Sequence, residues 1–203
     1  MNEFDSKAGE WDSNQRHIDR SIAIAKALMQ TIPLENAGKA MEYGAGTALL
    51  SFELKDHLHD ITLMDSSSEM VRVMQSKINA ENISHMHPVL IDLENQPYTG
   101  RFDLIYSQMV FHHVGNVDLI LDKFYNMLDK DGHIAVADLF TEDGTFHGNG
   151  FTGHKGFDPD YLAKQLKNHG YRHVKYKHCY TIHKIMNDNE EKAFPVFLMT
   201  AVK

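Results

Sequence analysis

The residues with the clearest chemical potential form a short glycine turn. Gly44 and Gly46 flank Ala45, between a stretch that is predicted as a buried strand (residues 38–43) and one that is predicted as an apolar helix (residues 47–57). Glycine lets the backbone approach a ligand closely, and the free N–H groups at the start of a helix favour a negative group. The turn is therefore typical of a site for a nucleotide-like cofactor.

Two carboxylates refine the type of cofactor. Asp65 ends a second predicted strand about 20 residues after the glycines, where an acidic residue accepts hydrogen bonds from ribose hydroxyls. Glu42 directly precedes the first glycine, where a carboxylate would repel a diphosphate but suit a cofactor with ammonium and sulfonium charges. Ala48 stands where the third glycine of a dinucleotide fingerprint is expected. The pattern favours a cationic cofactor over a dinucleotide.

The order of these motifs resembles the class I S-adenosylmethionine-dependent methyltransferases, in particular the small bacterial members that act on small molecules. The resemblance rests on Glu42-Tyr-Gly-Ala-Gly-Thr47, on Asp65, on Asp92-Leu93, and on Phe102-Asp-Leu-Ile-Tyr-Ser107 followed by His112-His113. It implies that S-adenosyl-L-methionine is the cofactor and S-adenosyl-L-homocysteine the product.

The resemblance also implies roles for the matching positions. The predicted cofactor-binding residues are Glu42, Gly44, Ala45, Gly46, Thr47, Asp65, Ser66, Met70, Asp92, Leu93 and Ser107. Within this set, the glycine turn with Glu42 would hold the methionine end, and Asp65 would hold the ribose. Asp92 and Leu93 would meet the adenine, while Ser107 would line the side on which the methyl group is transferred.

Three histidines are the candidate catalytic residues, because imidazole accepts a proton near neutral pH. His112 and His113 follow the fourth predicted strand, and His147 lies in a glycine-rich loop after the fifth. A general base contributes about 10²–10⁴-fold when the acceptor must lose a proton, although not every methyl acceptor needs one. The alternative interpretation is that these histidines bind substrate or cap a helix. The sequence matches no standard metal motif, so we expect no metal site.

The composition restricts the partners and the compartment. The chain has 203 residues, of which 42% are hydrophobic and 24% are charged, and its formal net charge is -8. It has neither a basic cluster nor an apolar run of membrane-spanning length, which disfavours nucleic acid and membranes as partners. The single cysteine, Cys179, is typical of a reducing cytoplasm. We expect a small-molecule methyl acceptor and a monomer or homodimer.

Strand and helix patterns alternate along the chain, which predicts an α/β fold. The resemblance implies a Rossmann-like, doubly wound, mostly parallel seven-stranded sheet with an antiparallel C-terminal strand. The last two predicted strands have no helix between them and are expected to form a hairpin. Ser66 and Glu69 have the spacing of a capping box, which predicts a helix start. We expect a single domain over residues 1–203, with an N-terminal helical cap over 1–33 and a Rossmann-like core over 34–203.

Three functions remain open from the sequence. The leading hypothesis is a methyltransferase that acts on a small molecule by in-line displacement at a sulfonium. An NAD(P)-dependent oxidoreductase is the second, although Glu42, Ala48 and the predicted hairpin argue against it. The third is a non-catalytic protein that binds S-adenosylmethionine, because binding and catalysis use different residues.

Overall fold

The computed structural model describes residues 4–148, 150–186 and 190–203. Within these residues the helices are α1 (Gln15–Met29), α2 (Leu49–Leu54), α3 (Ser68–Ala80), α4 (Val117–Met127) and α5 (Pro159–Asn168). The strands are β1 (Ala40–Tyr43), β2 (Ile61–Asp65), β3 (Met86–Leu90), β4 (Phe102–Gln108), β5 (Leu128–Leu139), β6 (Arg172–Ile185) and β7 (Glu191–Val202). Short 3-10 helices cover Asp5–Ser13, Leu34–Asn36 and Phe111–His113.

The strands form one sheet in the order β3-β2-β1-β4-β5-β7-β6. The pairs from β3 to β5 are parallel, whereas β7 is antiparallel to both β5 and β6. Strands β6 and β7 are consecutive in the chain and pair with each other, as the sequence predicts. The predicted seven-stranded, Rossmann-like sheet with an antiparallel C-terminal strand is therefore confirmed.

Buried side chains form a hydrophobic layer on each face of the sheet. One layer includes Leu28 of α1, Leu50 of α2 and Met74 of α3, and the other includes Phe124 of α4 and Leu166 of α5. Neighbouring residues along a strand point into opposite layers, which is the two-residue period of β structure. This arrangement fixes the strands so that the carboxyl ends of β1, β2, β4 and β5 lie at one edge, where ligands bind in such folds.

Helix α3 begins one residue later than the predicted capping box requires. The Ser67 side chain, not that of Ser66, caps the helix by accepting a hydrogen bond from the backbone N–H of Met70 at 3.2 Å. The Glu69 side chain instead pairs with Arg72 at 2.8 Å. Ser66 therefore lies in the turn before the helix, at the edge of the cavity described below.

The N-terminal segment (residues 4–14) forms side-chain contacts with the residues that follow β1 and β2. The Asp12 carboxylate pairs with Lys77 of α3 at 2.6 Å and accepts a hydrogen bond from the Thr47 hydroxyl. The Ser67 hydroxyl donates to Asp5 at 2.7 Å. These contacts place the segment beside the glycine turn. No helix among the described residues has the length and apolar character that a bilayer crossing requires.

Candidate active site

A cavity of about 1060 Å³ opens at the carboxyl ends of the parallel strands. This volume is large enough for a cofactor and a small acceptor together. The predicted site residues that line it are Gly44, Ala45, Gly46, Asp65, Ser66, Met70, Asp92, Leu93, His112, His113 and His147. Glu42, Thr47 and Ser107 do not line it. The structure thus brings together most of the predicted residues, although they come from widely separated parts of the chain.

The glycine turn has the backbone conformation that favours glycine. Gly44 and Gly46 have φ angles of +65° and +57°. A side chain at Gly44 would collide with Val110, whereas a Cβ at Gly46 would meet only the indole nitrogen of Trp11, at 4.0 Å. Position 44 therefore requires a glycine because the Val110 side chain packs against it. The space that a ligand could occupy lies at Gly46.

Asp65 organises the turn as well as lining the cavity. One carboxylate oxygen accepts the backbone N–H of Gly46 at 2.7 Å, and the other accepts that of Ser67 at 2.8 Å. Burial raises the pKa of Asp65, and these backbone hydrogen bonds partly offset that rise. Since a carboxylate has about four acceptor sites, Asp65 retains capacity for further donors from a ligand.

The other predicted cofactor residues differ in exposure. Asp92 is exposed, and its carboxylate accepts from the Glu94 backbone at 3.1 Å and from the Asn95 side chain at 2.7 Å. Leu93 and Met70 are buried apolar residues in the cavity wall. This part of the wall therefore combines an apolar surface with hydrogen-bond acceptors.

His112 and Asp138 form a buried pair at the opposite side of the cavity. The Nδ1 atom of His112 lies 2.7 Å from a carboxylate oxygen of Asp138. Asp138 also accepts the backbone N–H of Leu139 at 2.7 Å and that of His112 at 3.3 Å. Because a carboxylate can only accept, Nδ1 of His112 donates a proton to Asp138, so in the neutral imidazole Nε2 is the nitrogen that can accept one. The pair therefore presents a fixed proton acceptor at the cavity wall.

His113 and His147 lie beside His112. The ring centroids of His113 and His147 are 4.3 Å and 5.0 Å from that of His112. Burial, followed by the charge of His112, lowers the pKa of His113 to about 3 and that of His147 to about 4. Groups with such low pKa values are weak proton acceptors at neutral pH. Of the three candidates, His112 has the geometry that best suits a general base.

The same three histidines have a spacing that could also hold a metal ion. One ring nitrogen of each lies within 4.8 Å of the other two. Imidazole nitrogen is a common ligand of zinc and other transition metals. The sequence motifs do not indicate this cluster, because the histidines meet only when the loop after β5 folds back over the end of β4.

Asp138, which the sequence places at a strand end beside the site, and Arg20, which the sequence interpretation missed, also belong to the site. Asp138 lies at the carboxyl end of β5. Because β5 pairs with β4 in the sheet, Asp138 is beside His112, which follows β4 in the chain. Arg20 lines the cavity from α1 and is nearly buried. Residues four apart share a face of a helix, so Arg20 lies on the same face of α1 as Arg16. This spacing is the sequence feature from which Arg20 could have been predicted as a site residue.

Residues 41–136 match the family model of the methyltransferase domain. An uncharacterized methyltransferase of Schizosaccharomyces pombe is 29% identical over 145 residues, which cover 63% of this chain and 51% of that protein. The chain is therefore similar to methyltransferases over the residues that these comparisons match. It spans about half the length of this curated relative.

Solved methyltransferases share the fold. A methyltransferase of Haloferax volcanii, solved in complex with a methyltransferase activator, has a TM-score of 0.77 at 17% identity, covering 100% of this chain and 98% of that one. Phosphoethanolamine N-methyltransferase 2 of Haemonchus contortus, solved with S-adenosyl-L-methionine, has a TM-score of 0.71 at 13% identity, covering 91% and 52%. The Haemonchus contortus enzyme thus contains the cofactor that the sequence of this chain predicts, S-adenosylmethionine.

The residues that line the cavity fit S-adenosylmethionine. A ligand at Gly46 finds open space, and the Asp65 carboxylate retains acceptor sites for hydroxyl groups. The apolar side chains of Met70 and Leu93 provide a surface against which a flat ring can pack. The carboxylates of Asp65 and Asp92 give this end of the cavity a negative charge, which favours a cationic ligand.

The structure does not support the expected direct contact of Glu42 with the cofactor. The Glu42 side chain is completely buried and accepts a hydrogen bond from Ser51 of α2, whose hydroxyl lies 2.6 Å from that of Tyr106. Burial raises the pKa of Glu42 to about 8, although the hydrogen bond from Ser51 opposes this shift. At neutral pH this carboxyl is mostly protonated, so it does not supply the expected negative charge.

Two further predicted contacts are also displaced from the cavity. The Thr47 hydroxyl donates to Asp12 and anchors the N-terminal segment. Ser107 is buried in β4, and its hydroxyl has no hydrogen-bond partner among the residues that the structure describes. Both residues are buried, and neither lines the cavity.

We predict that Glu42→Gln makes the protein more resistant to unfolding at alkaline pH. Glutamine keeps an acceptor for Ser51 but cannot ionise. In the wild type the folded-state pKa of about 8 lies above the ordinary value of 4.5. The stability of the wild type is therefore complete below pH 4.5 and falls as the pH rises to 8. The size of this loss is on the order of a few kcal/mol.

Urea unfolding of both proteins between pH 4.5 and 8.5 measures this effect. The curves of Glu42→Gln and the wild type should diverge as the pH rises, whereas Glu35→Gln, at an exposed site, should follow the wild type. Parallel curves for Glu42→Gln and the wild type would show that the Glu42 pKa is not raised.

Proposed function

We propose that this protein transfers the methyl group of S-adenosylmethionine to a small-molecule acceptor, with His112 as the proton acceptor. The observation that carries the proposal is the composition of a single cavity. The acidic, glycine-lined end contains Asp65 and Asp92, and the other end contains the His112–Asp138 pair. A cationic methyl donor suits the first end, and a nucleophile that must lose a proton suits the second.

The cofactor would be held by residues on three successive strand ends. The backbone of residues 44–46 would bind the methionine end, and Asp65 would accept hydrogen bonds from the ribose hydroxyls. Asp92 and Leu93 would meet the adenine, with Met70 packing against it. Glu42 would support the site from behind through Ser51, without touching the cofactor. All of these residues except Glu42 and Ser51 lie in the cavity wall, and their roles are proposed from that position and from their functional groups.

S-adenosylmethionine supplies an electrophilic methyl group on a sulfonium, which leaves as a neutral thioether. The chain must therefore position the acceptor, exclude water and receive the acceptor's proton. Holding two reactants in line can contribute about 7–11 kcal/mol. The Nε2 atom of His112 would take the proton, and Asp138 would stabilise the resulting imidazolium through Nδ1. Asp138 is thus a positioning residue, because it acts through His112.

The N-terminal segment and the loop after β5 would select the acceptor. Phe4, Lys7 and Trp11 line the cavity from one side, and Phe146 and Phe151 line it from the loop. Glycines at positions 144, 148 and 156 of the loop have positive φ angles. We propose that the loop acts as a lid.

The formal net charge of -8 disfavours nucleic acid as the methyl acceptor. We also propose that the protein acts in the cytoplasm as a monomer or homodimer.

The test is formation of S-adenosylhomocysteine with a panel of small alcohols, phenols, amines and carboxylic acids, followed by mass spectrometry. We expect one acceptor class to gain a methyl group, with equimolar S-adenosylhomocysteine. The absence of turnover with every class, despite tight cofactor binding, would favour a non-catalytic binding protein.

A chelator in the same assay separates the two possible roles of the histidine cluster. If His112 acts as a general base, we expect turnover to be unchanged after treatment with EDTA and gel filtration. Loss of turnover that returns on addition of zinc would show instead that His112, His113 and His147 hold a metal ion.

A further inference from the structure

The cavity contains a basic end that methyl transfer itself does not require. Four cationic side chains line it: those of Lys7, Arg16, Arg20 and Lys184. Lys7 comes from the N-terminal segment beside the glycine turn, whereas Arg16 and Arg20 come from α1. Lys184 comes from β6 and donates a hydrogen bond to the backbone of Phe146, in the loop after β5. The two ends of the cavity therefore differ in the sign of their charge.

Arg20 is the unusual member of this set. Its side chain is 8% exposed, and its Nε atom has no hydrogen-bond partner among the described residues. A buried guanidinium that lacks partners is costly, because its charge has been removed from water. The structure therefore contains a buried, oriented donor without a protein acceptor.

Asp138 does not accept a hydrogen bond from the Nε atom of Arg20. Its charge favours the protonated form of Arg20, yet burial still lowers the Arg20 pKa to about 10. The oxygens of Asp138 accept hydrogen bonds from His112 and from the backbone of Leu139, and no ion pair joins Asp138 to Arg20 in the described part of the chain. Arg20 thus lies near the catalytic pair without being used by it.

We propose that the methyl acceptor carries an anionic group, a carboxylate or a phosphate, which Arg20 binds through its guanidinium. This inference rests on the proposed function, since it names the acceptor class of the same cavity. Guanidinium groups bind such anions in a two-pronged geometry, and the interaction strengthens in a site that is shielded from water. Arg16, which is exposed, and Lys184, which is half-buried, stand where they attract the anion to the cavity.

The position of Arg20 also orients the acceptor. Because Arg20 and His112 line the same cavity, an anion bound to Arg20 would hold the rest of the acceptor inside the cavity that His112 also lines. The nucleophilic group would then face the proton acceptor. The anionic group serves as an anchor in this arrangement and is not necessarily the atom that receives the methyl group.

Substitution of Arg20 by methionine distinguishes a binding role from a structural one. Methionine keeps an apolar stem of similar length and removes the buried charge. If Arg20 serves the ligand, Arg20→Met should raise the melting temperature of the ligand-free protein while anion binding falls, which is the trade-off found at functional sites. If Arg20 stabilises the fold, the melting temperature should fall instead.

The experiment is calorimetric titration of the protein, loaded with S-adenosylhomocysteine, with benzoate, phenyl phosphate and the neutral analogue benzamide. We expect one or both anions to bind and benzamide not to bind. In Arg20→Met the affinity for the anion should fall at least about tenfold, while Arg20→Lys should retain part of it. The control is Arg72→Met, because Arg72 is exposed on α3 and lies outside the cavity wall. The preferred anion identifies carboxylate or phosphate as the anchor.

Two outcomes would overturn the proposal: binding of neither anion by the wild type, or unchanged anion affinity in Arg20→Met. The affinity for S-adenosylhomocysteine, measured on the same variants, should not change. If the wild type binds the anions through Arg20 but fails to bind S-adenosylhomocysteine, the proposed function fails and the basic site remains.

Discussion

His112→Ala is expected to lower kcat by about 10²–10⁴-fold, the usual contribution of a positioned general base. The affinity for S-adenosylmethionine should remain nearly unchanged, because His112 lies at the opposite side of the cavity from Asp65. Steady-state kinetics with the identified acceptor, together with calorimetry of cofactor binding, separate the two quantities. An equal loss of cofactor binding and turnover would show that His112 contacts the cofactor or supports the fold.

Two further variants make this result specific. Asp138→Asn keeps the size of the side chain but removes the charge that holds the His112 imidazolium, so it should lower kcat and displace the pH profile of the reaction. His57→Ala changes an exposed histidine and should have the kinetics of the wild type. A pH profile that is identical in Asp138→Asn and the wild type would contradict the positioning role of Asp138.

Asp65→Ala is expected to weaken S-adenosylmethionine binding by about 100-fold or more. Each charge-assisted hydrogen bond to a ribose hydroxyl contributes about 1.5–3 kcal/mol, and two such bonds would be lost. The substitution also removes the acceptor that holds the backbone N–H groups of Gly46 and Ser67. The measurement is the dissociation constant of S-adenosylmethionine by calorimetry.

The matched control for Asp65 is Asp60→Ala. Asp60 lies just before β2, is half-buried outside the cavity wall and pairs with His87 at 3.2 Å, so its removal should leave cofactor affinity unchanged. Circular dichroism would verify that both variants are folded. A tenfold or smaller loss in Asp65→Ala would refute the assignment of Asp65 to the ribose.

The elements that the sequence predicts well are those with strong local patterns. Gly44 and Gly46 between an apolar strand and an apolar helix predict a turn, and the structure has it. The alternation of strands and helices predicts the parallel sheet, and the missing helix before β7 predicts the antiparallel hairpin. These features depend on residues that are close together along the chain.

The features that the sequence does not predict depend on which side chains meet in space. Glu42 faces Ser51 because neighbouring residues of a strand point to opposite faces, and the sequence does not tell which face α2 covers. The pairing of His112 with Asp138 and the burial of Arg20 join parts of the chain that are far apart. The cap at Ser67 instead of Ser66 is a shift of one residue, which local patterns seldom resolve.

The most direct test of the account is calorimetric titration of the purified protein with S-adenosylmethionine, S-adenosylhomocysteine, NAD and NADP side by side. We predict micromolar binding of the first two ligands, loss of that binding in Asp65→Ala, and no binding of the dinucleotides. Binding of a dinucleotide alone would contradict the assignment of the cavity, and the α/β fold would then be the part of the account that remains.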